Sequence, residues 1–394
     1  MLRFSWSIAA LAALLPGSLR AEEAKAPIQV VAEGRQPQAA VEASGRVHVV
    51  YGLGNEIRHV VSNASTTSFG SSTLVGSLPK PALGMRRGPR VAIAGRAIVV
   101  VAAGGMKEMP AKGSKGVDDG DLFSWRSTDE GKSWSGPTRI NSIAGSAREG
   151  LHGLAASADG SLYVVWLDLR SQTMEIYGAR STDGGATWTD EMLVYRSPDK
   201  AVCPCCHPSV AFSPDGTLSV MWRNQLFGRR DLFLTRSKDG GKTFGEAVKL
   251  GEGSWSFNAC PMDGGAIAFG KNGSVDTVWM RESRVFAAEI GKPERSLGRG
   301  VQPWAASDDR GAYFAWLAAR PGKLMVLRPG SSKPEVLASS AGDPMLASPS
   351  NGRGPVVAVW EVATESTPDA SQGHGGHGPK TAGPIALSIL SPSR

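Results

Sequence analysis

The chain has few cysteines and few tyrosines, four and five in 394 residues, and no block of like charge. No stretch reaches the roughly 18 apolar residues that a membrane-crossing helix needs. Four cysteines cannot staple a mini-scaffold of this length, so a hydrophobic core must hold the fold. The net charge of +7 is spread without a basic run, which removes the case for a nucleic-acid partner. Hydrophobic residues at 41% and charged residues at 20% exclude a disordered chain. What is abundant is 49 glycines, 25 prolines and 11 tryptophans. That mixture favours many short strands joined by tight turns.

Residues 1–21 read as a secretory signal peptide. Arg3 is its positive start, Ile8–Leu15 its apolar run, and Pro16–Gly17 the break before small residues. Removing Arg3 and Arg20 lowers the net charge from +7 to +5. Residues 22–394 are then expected to be one domain, secreted or periplasmic and not membrane-spanning.

A repeat organises that domain. Residues 127–134 (STDEGKSW), 181–188 (STDGGATW) and 237–244 (SKDGGKTF) align, with their serines 54 and 56 residues apart. Each follows a strand-like run, and a period near 50 points to a propeller or another closed array. The pattern suits a tight turn. Asp129, Asp183 and Asp239 can accept backbone N–H groups, and Gly131, Gly185 and Gly241 can take positive φ. Trp134, Trp188 and Phe244 can then pack back between sheets.

The pattern S-x-D-x-G-x-[ST]-[WF] resembles the Asp-box, or BNR repeat, of the sialidase-like β-propellers. The resemblance implies an all-β propeller of four-stranded antiparallel blades, with the Asp-box as a structural turn far from any active site. Second-strand runs such as Leu162–Trp166 and Leu218–Trp222 recur across the mature chain and count seven blades, six being the alternative. The last unit has three strands, and Pro27–Ala32 is expected to supply the fourth and close the ring.

Chemistry is expected at the end opposite the Asp-boxes, where the loops between blades converge. All four cysteines, Cys203, Cys205, Cys206 and Cys260, fall in two neighbouring loops there, with His207 beside them. Thiolates with an imidazole suit copper or zinc. The other reading is disulfide bonding, because an even cysteine count in an exported protein usually pairs. Met106, Met109, His374 and His377 belong to long loops at the same end. A ligand pocket there would draw on Arg86, Arg87, Arg148, Glu149, His152, Asp168, Arg223, Trp255, Asn258 and Trp304, with Arg281 and Glu282 close by.

The family resemblance also implies an enzyme alternative, an exo-sialidase or related hydrolase acting on a carboxylated sugar. Sialidases use an arginine triad, a tyrosine–glutamate nucleophile pair and an aspartate acid/base. The F/Y-R-I-P signature is absent here, weakly echoed by Gly88–Ile93. Tyr51, Tyr163, Tyr177, Tyr195 and Tyr313 all fall in strand runs, so no catalytic residue carries over. The expected function is a binding protein for a small molecule, sugar, metal ion or protein partner, with copper or zinc as candidate cofactor.

Overall fold

The mostly apolar runs, five of which end in tryptophan, hold few polar residues because both of their faces are covered. Such strands read as continuous hydrophobic segments and not as alternating ones. In the computed structural model they form the second strands of four-strand units: Val47–Leu53, Ala97–Gly104, Leu162–Asp168, Leu218–Arg223, Val275–Arg281, Gly311–Leu317 and Val356–Val362. Leu162–Asp168 and Leu218–Arg223 are buried throughout. By contrast, the fourth strand Ser135–Arg139 is exposed at all its positions. Trp166, Trp222, Trp279, Trp316 and Trp360, at equivalent places, are each 2% exposed or less.

The structure describes residues 27–105, 120–199, 201–270, 273–363 and 381–391. The segment 1–21, with its signal-peptide reading, lies outside the described residues. So do Met106, Met109, His374 and His377, and the side chains of Arg148 and Glu149. Among the described residues every regular element is a strand, and no helix is long and apolar enough to cross a membrane.

All pairings are antiparallel. Four sheets contain four strands each, and a fifth contains ten. The larger sheet arises because two long strands each serve two units. Ile28–Val41 pairs through Ile28–Gly34 with Gly383–Ser391 and through Arg35–Val41 with Val47–Leu53. Glu335–Ala347 likewise divides at Ala341 between Gly322–Leu327 and Val356–Val362. The first strands of successive units touch in chain order, and Glu335–Ala347 touches Ile28–Val41 again.

The Asp-box turns join third to fourth strands, as in the connection from Asp121–Ser127 to Ser135–Arg139. In the second of them, Asp183 Oδ1 accepts the N–H groups of Ala186 and Thr187 at 3.0 Å, and Ser181 Oγ accepts that of Gly185 at 2.9 Å. Each aromatic clasps the preceding unit. Trp134 packs edge-on against His59, Trp188 Nε1 donates to Ser124 Oγ at 3.0 Å, and Phe244 packs against Tyr163. Gly241 has a φ of 89°, and a Cβ there would lie 2.0 Å from the Tyr163 ring. The turn therefore needs glycine for its conformation and for its close approach to the neighbouring unit.

Candidate metal centre

The cysteine loop connects the fourth strand Met192–Tyr195 to the first strand Ser209–Phe212 of the next unit. Antiparallel order puts it at the end opposite the Asp-box turns. Two backbone bonds fix its start: Val202 N donates to Met174 O, and Cys203 N donates to Arg223 O, both at 3.0 Å. Proline at 204 and the turn after it fold Cys205 and Cys206 back over Cys203. The result is a sulfur cluster whose Sγ atoms all lie within 4.8 Å of one another. Cys203 Sγ is 3.3 Å from Cys206 Sγ and 3.6 Å from Cys205 Sγ.

Those separations have a chemical meaning. A disulfide bond is about 2.05 Å long, so these three sulfurs are not bonded to one another. Four thiolates around an ion at about 2.3 Å would stand roughly 3.8 Å apart, within a few tenths of an ångström of the spacing found. The cluster is shielded, with Cys203 0%, Cys205 4% and Cys206 1% exposed, and Met262 packs against it. Hydrogen bonding with Cys205 and Cys206 holds the Cys203 thiol well below its usual range, helped by the positive charges of Arg230 and Arg223. Cys205 is pushed up by its contact with Cys203, and Cys206 is pushed up by burial. Three shielded sulfurs within reach of one another make a soft donor set.

Cys260 lies outside this mutual group, but within hydrogen-bonding reach of Cys205, and it is exposed. His207 faces elsewhere. Its ring stacks on Trp304 with centroids 5.5 Å apart, and its Nε2 is 3.2 Å from Gly265 O. Burial, reinforced by Arg86 and Arg90, drives its pKa well below the usual value, so the ring is neutral, with Nδ1 buried and unpartnered. Of the five expected metal ligands, the structure thus groups three, keeps Cys260 at the margin and turns His207 toward Trp304.

The expected pocket residues are mostly engaged in the scaffold. Arg223 spends its guanidinium on three backbone carbonyls, those of Asp263 at 2.9 Å, Arg230 at 2.6 Å and Met280 at 2.7 Å. Arg86 donates to Pro344 O at 2.5 Å and to Gln302 O. Arg87 is buried and donates to Gly84 O at 3.3 Å. Asp168 is buried and accepts from Trp166 Nε1 at 2.7 Å, Ser146 Oγ at 2.9 Å and the Arg170 guanidinium. The His152 ring nitrogens lie at 2.8 Å from Gly150 O and 3.2 Å from Val101 O. Burial lowers this group to about 4, and the neutral ring donates to one of the two carbonyls. Trp255 stacks on Phe257 at 4.4 Å, and Asn258 is exposed. A cavity of about 390 Å³ runs between the first strands; His152 and Trp304 line it, and the cysteines do not.

A second polar cluster, next to Arg86, was not anticipated. Asp263 Oδ2 accepts from Gln302 N at 2.6 Å, while Asp343 Oδ1 accepts from Gln302 Nε2 at 2.6 Å and Oδ2 from Arg320 at 3.3 Å. Gln36, Gln302 and Asp343 each precede a proline, yet each has positive φ, at 52°, 54° and 46°. Side-chain residues rarely adopt this conformation, and proline disfavours it further, so neighbouring contacts must hold it. The signal was present as a polar residue followed by proline at the head of three first strands. Spacing alone did not say that the three meet.

Asp263 in this cluster has a pH consequence. Burial raises it to about 6 from the usual 3.8, with Arg86, Arg223 and Arg320 opposing, and its Oδ1 has no partner. Asp343, which burial would also raise, is held at about 2 by Arg320 and Arg86. A raised folded-state pKa means that the folded chain keeps the proton longer than the unfolded chain. Its stabilising contribution is full below the unfolded value and is lost as pH climbs to about 6. Asp263→Asn should therefore gain stability relative to the parent at pH 7 and show no such gain at pH 4. Urea midpoints of both proteins at the two pH values test this, and equal differences at both would refute it.

The profile of the BNR repeat-like domain matches residues 99–294. Among solved structures, polysaccharide lyase Uly1 is 12% identical with a TM-score of 0.53, over 92% of this chain and 91% of that one. The α-L-arabinofuranosidase Arb93A from Fusarium graminearum, in complex with an iminosugar inhibitor, is 11% identical with a TM-score of 0.52, over 93% and 98%. The Hadza microbial sialidase Hz136 is 15% identical with a TM-score of 0.48, over 83% of this chain. This chain spans 63% of that sialidase's length. No curated protein sequence matches. At these identities the likeness concerns the fold.

Proposed function

We propose that this chain, whose residues 99–294 match the BNR repeat-like domain, is an exported sialidase-like propeller that acts as a binding protein and whose cysteine face captures a soft metal ion, copper(I) or zinc. The observation that carries the reading is the buried trio Cys203, Cys205 and Cys206, with sulfurs 3.3 and 3.6 Å apart. Thioether and thiolate donors in a shielded site select thiophilic ions over magnesium or calcium. We read residues 22–394 as a single seven-bladed ring, in which Ile28–Gly34 supplies the fourth strand of the last blade and closes it. Residues 1–21 act as the export signal.

The exo-sialidase alternative asks for guanidinium forks open to a carboxylate. Arg223 already gives its N–H groups to backbone carbonyls, and Arg86 gives most of its own. A sugar ligand remains the second reading, since solved relatives of this fold include a polysaccharide lyase and an arabinofuranosidase bound to an iminosugar.

Titrating the reduced, oxygen-protected protein with copper(I) or zinc against a chromophoric chelator should give about one tightly held ion per chain. Thiol counting in denaturant accompanies it. Zero countable thiols in the oxidised protein, with no ion taken up after reduction, would replace the metal reading by structural disulfides. Release of a fluorophore from a sialic-acid glycoside would favour the enzyme.

A further inference from the structure

The trio is well placed to hold an ion and badly placed to release one. Each sulfur is almost fully covered, and Met262 closes over them. Closed-shell soft ions change partners by associative substitution, in which the entering ligand binds before the leaving one departs. An entering thiolate from solvent has no direct approach to three sulfurs buried this deeply. One sulfur bridges the gap. Cys260 is exposed, lies outside the trio and touches Cys205.

The loop that carries Cys260 is anchored at its stem. Arg230 N donates to Trp255 O at 2.8 Å, Phe257 N donates to Gly228 O at 3.4 Å, and Trp255 stacks on Phe257. Past the stem, Asn258 and Cys260 stand at the surface, and Met262 returns to the sulfurs. A single short loop therefore carries both a covering residue and an exposed donor.

We propose that Cys260 is the exchange arm of the site, passing a soft ion between the buried trio and a thiolate-bearing partner. The proposal rests on the metal reading above. In the first step the Cys260 thiol loses its proton to solvent and bonds to the ion as one trio bond, to Cys206 or Cys203, breaks. The released thiolate takes up a proton. In the second step the partner's thiolate bonds to the ion beside Cys260, and the remaining bonds to this chain break and are reprotonated. The ion keeps its oxidation state throughout, and no oxidant or reductant takes part.

The test uses the full mature chain loaded with copper(I), bicinchoninate as coloured acceptor, and reduced glutathione as the thiolate donor. Glutathione should speed transfer from the parent protein by about tenfold, and this acceleration should vanish in Cys260→Ser. Equilibrium affinity of the variant should stay within about threefold of the parent, because the trio is intact. Tryptophan fluorescence and the thermal midpoint check that the variant folds. Equal glutathione acceleration in both proteins overturns the exchange arm while leaving the metal reading standing. An affinity loss beyond about tenfold also overturns it, by making Cys260 a resident ligand. If the parent binds no copper(I), the metal reading fails and the arm falls with it.

Discussion

Replacing Cys203 by serine should weaken copper(I) binding by more than about 100-fold, beyond the loss usual for removing a partner outside the ligand set. Cys203 is the sulfur common to both short separations, 3.3 Å to Cys206 and 3.6 Å to Cys205. Without it the remaining pair has no shared third donor. A serine hydroxyl is a hard, protonated oxygen that soft ions do not favour. The backbone should stay in place, because Cys203 N is held by Arg223 O, and the Arg223 side chain is itself braced on three carbonyls. Buried serine can also cost stability, about 1–3 kcal/mol if its hydroxyl finds no acceptor. Cys203→Ala removes that complication and should lose the ion to the same degree. Chelator competition on both variants measures the effect. Binding within about threefold of the parent in either would show that the cluster is not the site.

Trp222→Ala should destabilise the protein by about 3–5 kcal/mol, the cost typical of deleting a fully buried aromatic ring. Trp222 is 0% exposed, lies tilted against Tyr195 with ring centroids 4.3 Å apart, stacks 6.4 Å from Phe233, and sits in the apolar cluster with Leu151, Val165 and Val220. That cluster fills the space between two neighbouring units, so a cavity there also loosens their contact. The indole Nε1 is buried without a partner, which already costs stability. Trp222→Phe keeps the ring packing and deletes the orphaned group, so it should stay within about 1.5 kcal/mol of the parent. Urea unfolding followed by circular dichroism distinguishes the two. An alanine variant with an unchanged midpoint would mean that the tryptophan positions are not the inter-unit core. Since Arg223 follows directly and its carbonyl holds Cys203 N, the alanine variant should also bind copper(I) less tightly than the phenylalanine variant.

The scaffold was readable because its signals are local. A turn such as Ser181–Trp188 is specified within eight residues: serine and aspartate accept the turn's own N–H groups, and Gly185 takes the positive φ. The second strands announce themselves as largely apolar runs because they are covered on both faces. The cysteines could be placed at one end from antiparallel order alone. What spacing could not reveal is which side chains are consumed by the scaffold. Arg86, Arg223 and Asp168 looked like open ligands by residue type, and each is engaged by groups distant in sequence or by the chain's own turns.

The divide follows the range of the interactions. Sequence alone was enough for the all-β class, the Asp-box turns, the tryptophan-bearing strands and the end at which the thiols lie, since neighbours within a few residues decide each of these. Only folding decided that Cys203, Cys205 and Cys206 close into one buried trio, that Cys260 stays outside it, and that His207 turns to Trp304. It also decided that Asp263, Gln302 and Asp343 meet beside Arg86 and Arg320. These arrangements depend on how units about fifty residues apart are packed, and on burial, which shifts Asp263 toward its neutral form and makes a cluster of thiols unreactive or selective according to what covers it.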